Sequence, residues 1–144
     1  MGGIGFSGTT SLYICQKTID SEEYQKIIST AYLPFHNNSF LLVQDNARPH
    51  VSTSSLKFLN DNDVSLLEWP ACCPDCNPIE NLWAIMVKRV YENSHVFSNV
   101  NQLVSKRQNV WDTLSLEEVQ NLVPSFPSRL VKVIQSNGGE IDKY

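Results

Sequence analysis

Two carboxylates in this chain stand where a carboxylate needs a reason. Asp45 closes an apolar run, F-L-L-V-Q-D-N, from Phe40 to Asn46. Glu80 lies in P-D-C-N-P-I-E-N-L-W, from Pro74 to Trp83, at the opening of a helical pattern. It follows Asp45 by 35 positions. Both fall at the ends of elements expected to be buried, where a charge is costly unless it meets a cation or hydrogen-bond donors. Magnesium takes oxygen ligands, often one or two carboxylates together with phosphate oxygens of a substrate. Two such ions, about 3.5–4 Å apart, can hold the attacking and leaving oxygens of an in-line displacement. The pair therefore points to a magnesium site for phosphoryl transfer. A third acidic ligand, expected upstream, is not found in the chain.

Each of these residues also has a plainer use. Asp45-Asn46 can open an ordinary turn after a strand. Glu80 is the third residue after the Asn77 cap and can complete a capping box. Asp75 can replace Glu80 as a ligand, or simply hold the turn before the cap. His50 can contact DNA or a metal, or be solvated or bonded to backbone. In C-C-P-D-C, Cys73 and Cys76 have the spacing of half a zinc site, and Cys72 adds a third thiolate. No second C-x-x-C exists, and His50 is the nearby histidine candidate. The cluster precedes a helix cap and does not open a helix, unlike redox C-x-x-C motifs. Loop cysteines without special chemistry are the plainer reading.

The elements that must position these groups read as α/β. Gly2 to Gly8, Gly-rich, gives way to Leu12-Tyr13-Ile14-Cys15, which suggests two short strands joined by a turn around Gly8-Thr9-Thr10. Asp20 or Ser21 caps a helix carrying Tyr24, Ile27, Ile28 and Ala31 at helical spacing, with Pro34 ending it. Phe40 to Val43 resembles a parallel strand covered on both faces. Its carboxyl end is the edge where ligands bind in open α/β sheets, and Asp45 falls there. A short helix over 52–60 turns Leu56 and Leu59 inward, and Val64 to Leu67 is the next strand. With Asn77 as cap and Pro78 at the first helical position, the next helix runs to about Glu92. Its stripe is Ile79, Leu82, Trp83, Met86, Val87 and Val90, with Glu80 at the border. Gly138-Gly139 stops the last helix.

Bulk properties narrow the class. The chain has 144 residues, 42% hydrophobic and 18% charged, which reads as one globular domain, or most of one, over 1–144. A net charge of −4 gives no argument for autonomous DNA affinity. No apolar stretch approaches the roughly 20 residues of a membrane span, and the start is no signal peptide. Four cysteines, three of them clustered, fit a reducing intracellular compartment better than a secreted disulfide framework.

Three strings carry a resemblance: Q-D-N-A-R-P-H (Gln44 to His50), W-P-A-C-C-P-D-C-N-P-I-E-N-L-W (Trp69 to Trp83) and G-G-E-I-D-K-Y (Gly138 to Tyr144). They resemble the catalytic domain of Tc/mariner-type transposases, from about Gly2 to the end of the chain. The resemblance implies a ribonuclease H-like fold, a mixed sheet flanked by helices, here expected to lack its first central strand. It implies a triad of acids in which Asp45 is the second and Glu80 the third. Asn46, His50, Asp75 and Asn77 would shape the loops and support the acids. It implies magnesium or manganese, two ions in the complete enzyme, and DNA cleavage with strand transfer in the nucleus.

DNA contact is expected through N-terminal domains of a full-length enzyme, and no membrane is implied. The family's first Asp is expected upstream of 2–15, so weak or absent catalysis is expected of this chain. An unpaired strand edge predicts self-association or completion by another polypeptide. Cys72, Cys73 and Cys76 depart from the family pattern and fit drifted loop positions. The alternatives are a non-enzymatic transposon remnant serving as a nucleic-acid- or protein-interaction module, and a zinc-binding module.

Overall fold

The computed structural model describes residues 1–69, 76–92 and 96–136. The chain starts as a hairpin in which β1 (Ile4–Gly5) runs antiparallel to β2 (Gly8–Thr9). Backbone bonds from Thr10 to Gly3 (2.9 Å) and from Tyr13 to Met1 (2.7 Å) extend the pairing. The turn falls on Phe6-Ser7, earlier than the sequence reading placed it. Gly5 pairs with Gly8, whose φ of +135° is open to glycine alone without strain.

Helix α1 (Ser21–Ile27) is capped by Asp20, whose Oδ1 accepts from the Glu23 amide at 2.8 Å. It continues as a π-helical turn over Ile28–Tyr32. The ladder reaches Leu33, the residue before Pro34, as the proline requires. Tyr24, Ile27, Ile28 and Ala31 are all buried, as their spacing predicts.

Strand β3 (Leu41–Leu42) pairs in parallel with β4 (Ser65–Leu66), Leu41 facing Ser65 and Leu42 facing Leu66. A parallel pair needs a crossover, and α2 (Thr53–Asp61) supplies it, capped by Ser52. Two expectations fail here. Leu41 is 57% exposed, so the strand is not covered on both faces. Leu56 is 41% exposed, and the inward position one turn before Leu59 belongs to Ser55. The buried stripe of α2 therefore runs through 55 and 59, four apart. Ser55 tolerates burial because its hydroxyl accepts from the Ser52 hydroxyl at 2.9 Å. Tyr24, Ile28, Leu59 and Val64 form one core, with Leu42, Phe58 and Leu66 packed on it.

A second core lies under α3 (Ile79–Val90), α4 (Val100–Asp112) and α5 (Leu116–Leu122). Leu82, Met86 and Val90 of α3, at four-residue spacing, meet Val110 and Trp111 of α4. Val87, included in the expected stripe, is exposed at its margin. Trp111 stacks on Trp83 with ring centroids 5.4 Å apart, and its Nε1 donates to the Thr10 carbonyl at 2.8 Å. That bond fastens the hairpin to the helices. Arg89 pairs with Glu118, joining α3 to α5. Helix α6 (Ser125–Gln135) carries Arg129, buried, whose Nη1 donates to Asn81 Oδ1 on α3 at 2.8 Å. Cys72, Cys73, Asp75 and Gly138-Gly139 lie outside the described residues, so the readings placed on them meet no structural counterpart.

Candidate functional site at the strand ends

Because β3 and β4 are parallel, the segments leaving both strands emerge at one edge of the pair. Asp45 leaves β3 there. Its Oδ1 accepts from the Ala47 amide at 3.0 Å and lies 2.6 Å from His50 Nδ1. The ordinary-turn reading of Asp45 is thus true of one oxygen. The side chain is 70% exposed, so it does not stand at a buried end as its sequence setting suggested. The reason is that β3 ends at Leu42, and the chain has already turned toward solvent by Asp45. Among the described residues, Oδ2 takes no hydrogen bond.

His50 is mostly buried, and its ring Nδ1 meets Asp45, not backbone. Its side chain is only 13% exposed, and its ring lies 4.4 Å from that of Tyr24, centroid to centroid, at 37°. The Tyr24 hydroxyl donates to Gln44 Oε1. Gln44 Nε2 in turn donates to the His50 carbonyl at 3.4 Å. Burial, reinforced by the nearby charge of Asp45 and by Tyr32, pushes the Tyr24 phenol well above its ordinary range. It therefore stays a donor at any physiological pH.

Asn46 Nδ2 donates to the Trp69 carbonyl at 3.0 Å, tying the segment after β3 to the segment after β4. The Trp69 ring stacks on Phe126 of α6, centroids 5.7 Å apart. From α6, Arg129 reaches Asn81, the neighbour of Glu80. The start of α3 falls one residue later than expected: Pro78, with helical angles, takes the cap position and Ile79 opens the helix, while Asn77 Oδ1 accepts from the Ile79 amide at 3.2 Å. Glu80 sits in the first turn, where the helix dipole favours a negative charge. The capping box expected of it does not form. Among the described residues its carboxylate takes no hydrogen bond, and the residue is exposed.

Asp45 and Glu80 thus stand on segments linked by a run of contacts through Asn46, Trp69, Phe126, Arg129 and Asn81. Among the described residues no three His, Cys, Asp or Glu side chains gather as a metal cage. Of the three candidate zinc thiolates only Cys76 is described, and it is buried. Tyr24, Gln44 and Arg129 were not singled out from sequence as site residues. The signal for Tyr24 was its type: a tyrosine in a core stripe needs a partner for its hydroxyl.

The described helices include none long and apolar enough to cross a membrane. A family profile described as DDE superfamily endonuclease matches residues 1–104. The transposable element Tc3 transposase of Caenorhabditis elegans is 34% identical over 128 residues, covering 86% of this chain and 39% of that protein. The Tc1 transposase of the same nematode is 31% identical over 129 residues, covering 85% and 46%. The chain thus spans less than half the length of either relative. A structure of the Mos1 transposase catalytic domain, with raltegravir and Mg, superposes with a TM-score of 0.80 at 19% identity. It covers 95% of this chain and 73% of that one. A Mos1 paired-end complex with the left transposon end gives 0.80 at 17% identity, covering 98% and 44%. The fold is the ribonuclease H-like fold of that catalytic domain.

Proposed function

The chain belongs to the DDE superfamily endonuclease family, and on that premise we propose that Asp45 and Glu80 are two acids of a divalent-metal site. The reaction it would serve is DNA phosphodiester cleavage and strand transfer, as in DNA transposition and integration. One observation carries the reading: Asp45 has one oxygen committed to Ala47 and His50, while its side chain is largely open to solvent. Two donors, one of them a mostly buried imidazole, hold that oxygen and leave the other open to a cation.

The donor set fits a hard cation. Both candidates are carboxylates, and magnesium or manganese prefers oxygen. One ion, or two, would supply charge stabilisation to phosphate oxygens and a lowered pKa for a water. The protein's own part is to hold the acids. Asn46 and Trp69 fix the Asp45 segment, and Arg129 and Asn77 fix the turn that carries Glu80. Two carboxylates offset only half the charge of two divalent ions, so the reading assigns this chain weak binding and little turnover by itself. With a net charge of −4, its grip on DNA would come from elsewhere in a longer protein. The nucleus is the compartment this reading assigns.

The test is Mn2+ titration of the chain, followed by electron paramagnetic resonance, with Asp45→Asn and Glu80→Gln beside it. Asp45→Asn keeps an oxygen for the Ala47 amide, so the turn should survive. Each substitution should weaken binding more than about tenfold and abolish any manganese-dependent nicking of supercoiled plasmid. Binding indifferent to both substitutions would refute the site. It would favour the rival reading, a non-enzymatic interaction module.

A further inference from the structure

We infer that His50, braced by Tyr24 and Gln44, is a positioning residue that locks the Asp45 carboxylate so that Oδ2 is the oxygen offered to a cation. The inference rests on the metal-site reading above. A carboxylate oxygen 2.6 Å from Nδ1 is an acceptor only, so Nδ1 carries the proton. The Ala47 amide reaches the same oxygen. Two donors thus converge on Oδ1, and among the described residues none reaches Oδ2.

The imidazole itself has little freedom. Its face packs on the ring of Tyr24, which is buried in the core with Ile28, Leu59 and Val64. Its own carbonyl is held by Gln44, and Gln44 is held by the Tyr24 hydroxyl. Tyr24 therefore grips His50 twice, once through the ring and once through Gln44. The chain of fixation runs from the core through Tyr24 to His50 and ends on one oxygen of Asp45. Ion binding to a carboxylate whose rotor is already fixed loses less ordering entropy than binding to a free one. Partners of metal ligands tune affinity for this reason.

Packing alone would give His50 a different job, and two substitutions separate the jobs. His50→Phe keeps a ring against Tyr24 and removes the donor. His50→Asn removes the ring and leaves an amide N–H near the place of Nδ1. If His50 positions Asp45, His50→Phe should weaken Mn2+ binding by about 10–100-fold, while His50→Asn recovers most of the affinity despite a larger loss of melting temperature. Equal binding by wild type and His50→Phe would overturn the inference, as would a larger loss in His50→Asn than in His50→Phe.

A metal-free readout accompanies the titration. In the wild type, 15N NMR should find the His50 proton on Nδ1 with a low-field proton resonance, lost in Asp45→Ala. A wild-type proton on Nε2 alone would also overturn the inference. The two claims fail separately. If Asp45→Asn leaves Mn2+ binding unchanged, the metal site fails and the positioning role with it. If Asp45→Asn abolishes binding but His50→Phe does not reduce it, only the positioning role fails.

Discussion

Trp111→Phe tests what holds the hairpin to the rest of the fold. Trp111 is buried, stacked on Trp83, and donates Nε1–H to the Thr10 carbonyl, 101 residues away in sequence. Phenylalanine keeps a ring on Trp83 but has no donor. The lost bond is worth about 0.5–1.5 kcal/mol net, and a buried carbonyl left without its partner costs about 1–3 kcal/mol in its place. Thr10 is itself buried, so the larger figure governs. With some lost ring volume, the substitution should cost about 2–3 kcal/mol; Trp111→Ala, which empties the site, should cost about 3–5 kcal/mol. Domains of this size are stable by only about 5–15 kcal/mol. At roughly 4 °C per kcal/mol, the phenylalanine variant should melt about 8–12 °C lower. Hydrogen exchange at the Thr10 and Tyr13 amides, which carry the hairpin's outer bonds, should accelerate in parallel. A melting temperature within about 3 °C of wild type, with those amides unchanged, would show that the hairpin is fastened elsewhere and refute the reasoning.

Two further substitutions probe the same packing and its electrostatics. A Cβ added at Gly2 would lie 2.6 Å and 2.8 Å from Cη2 and Cζ2 of Trp111. The ring cannot retreat without losing its Thr10 bond, so Gly2→Ala should cost about 1–3 kcal/mol; a neutral result in thermal melting would mean the ring is free to shift. Glu118 is held below the ordinary carboxylate range first by the Ser115 amide and then by Arg89. A lowered folded value means its stabilisation is complete above the ordinary value of 4.5 and drains as pH falls through the lower one. The melting difference between wild type and Glu118→Gln should therefore narrow below about pH 4, and a gap that stays constant into acid would contradict the assignment.

What could be read from the residues alone was mostly local. Asp20 caps α1, and Asn77 takes the Ile79 amide just ahead of α3, because short polar side chains can reach an orphan amide in any context. The parallel β3–β4 pair and its crossover helix followed from two short apolar runs around a helical stretch. What misled was burial. Leu56 and Leu41 look like core by type, yet α2 is rotated so that Ser55 takes the inner place, and β3 leaves one face of Leu41 open. Hydrophobic type says a residue tolerates the core; only the register of packing says which residue occupies it. The places of Asp45 after a strand and of Glu80 at a helix start were legible. Their supports were not. Tyr24 reaches His50, and Arg129 reaches Asn81, across spans of sequence that no spacing rule connects.

The chain's other carboxylates show what sets the two proposed site acids apart. Glu23 is buried and takes the Tyr13 hydroxyl at 2.7 Å with Lys17 at 3.4 Å, and these partners hold it below the ordinary range. Glu118 is committed to the Ser115 amide and to Arg89. Such acids are structural: their charge is spent on donors inside the protein, and a cation would have to displace them. Asp45 has half its carboxylate spent, and Glu80, among the described residues, has none of it spent. Exposed acids elsewhere, Glu92 and Glu117 among them, are cheap to keep because solvent screens them. Asp20 is likewise exposed with one oxygen held, by the Glu23 amide of the helix it caps; the Asp45 carboxylate differs in having two donors on one oxygen, Ala47 and the mostly buried His50, with Asn46 tying the adjoining chain to Trp69. Exposure keeps the desolvation cost low until a cation arrives, and fixation keeps the ordering cost low when it does. The proposed ligand role of Asp45 uses both.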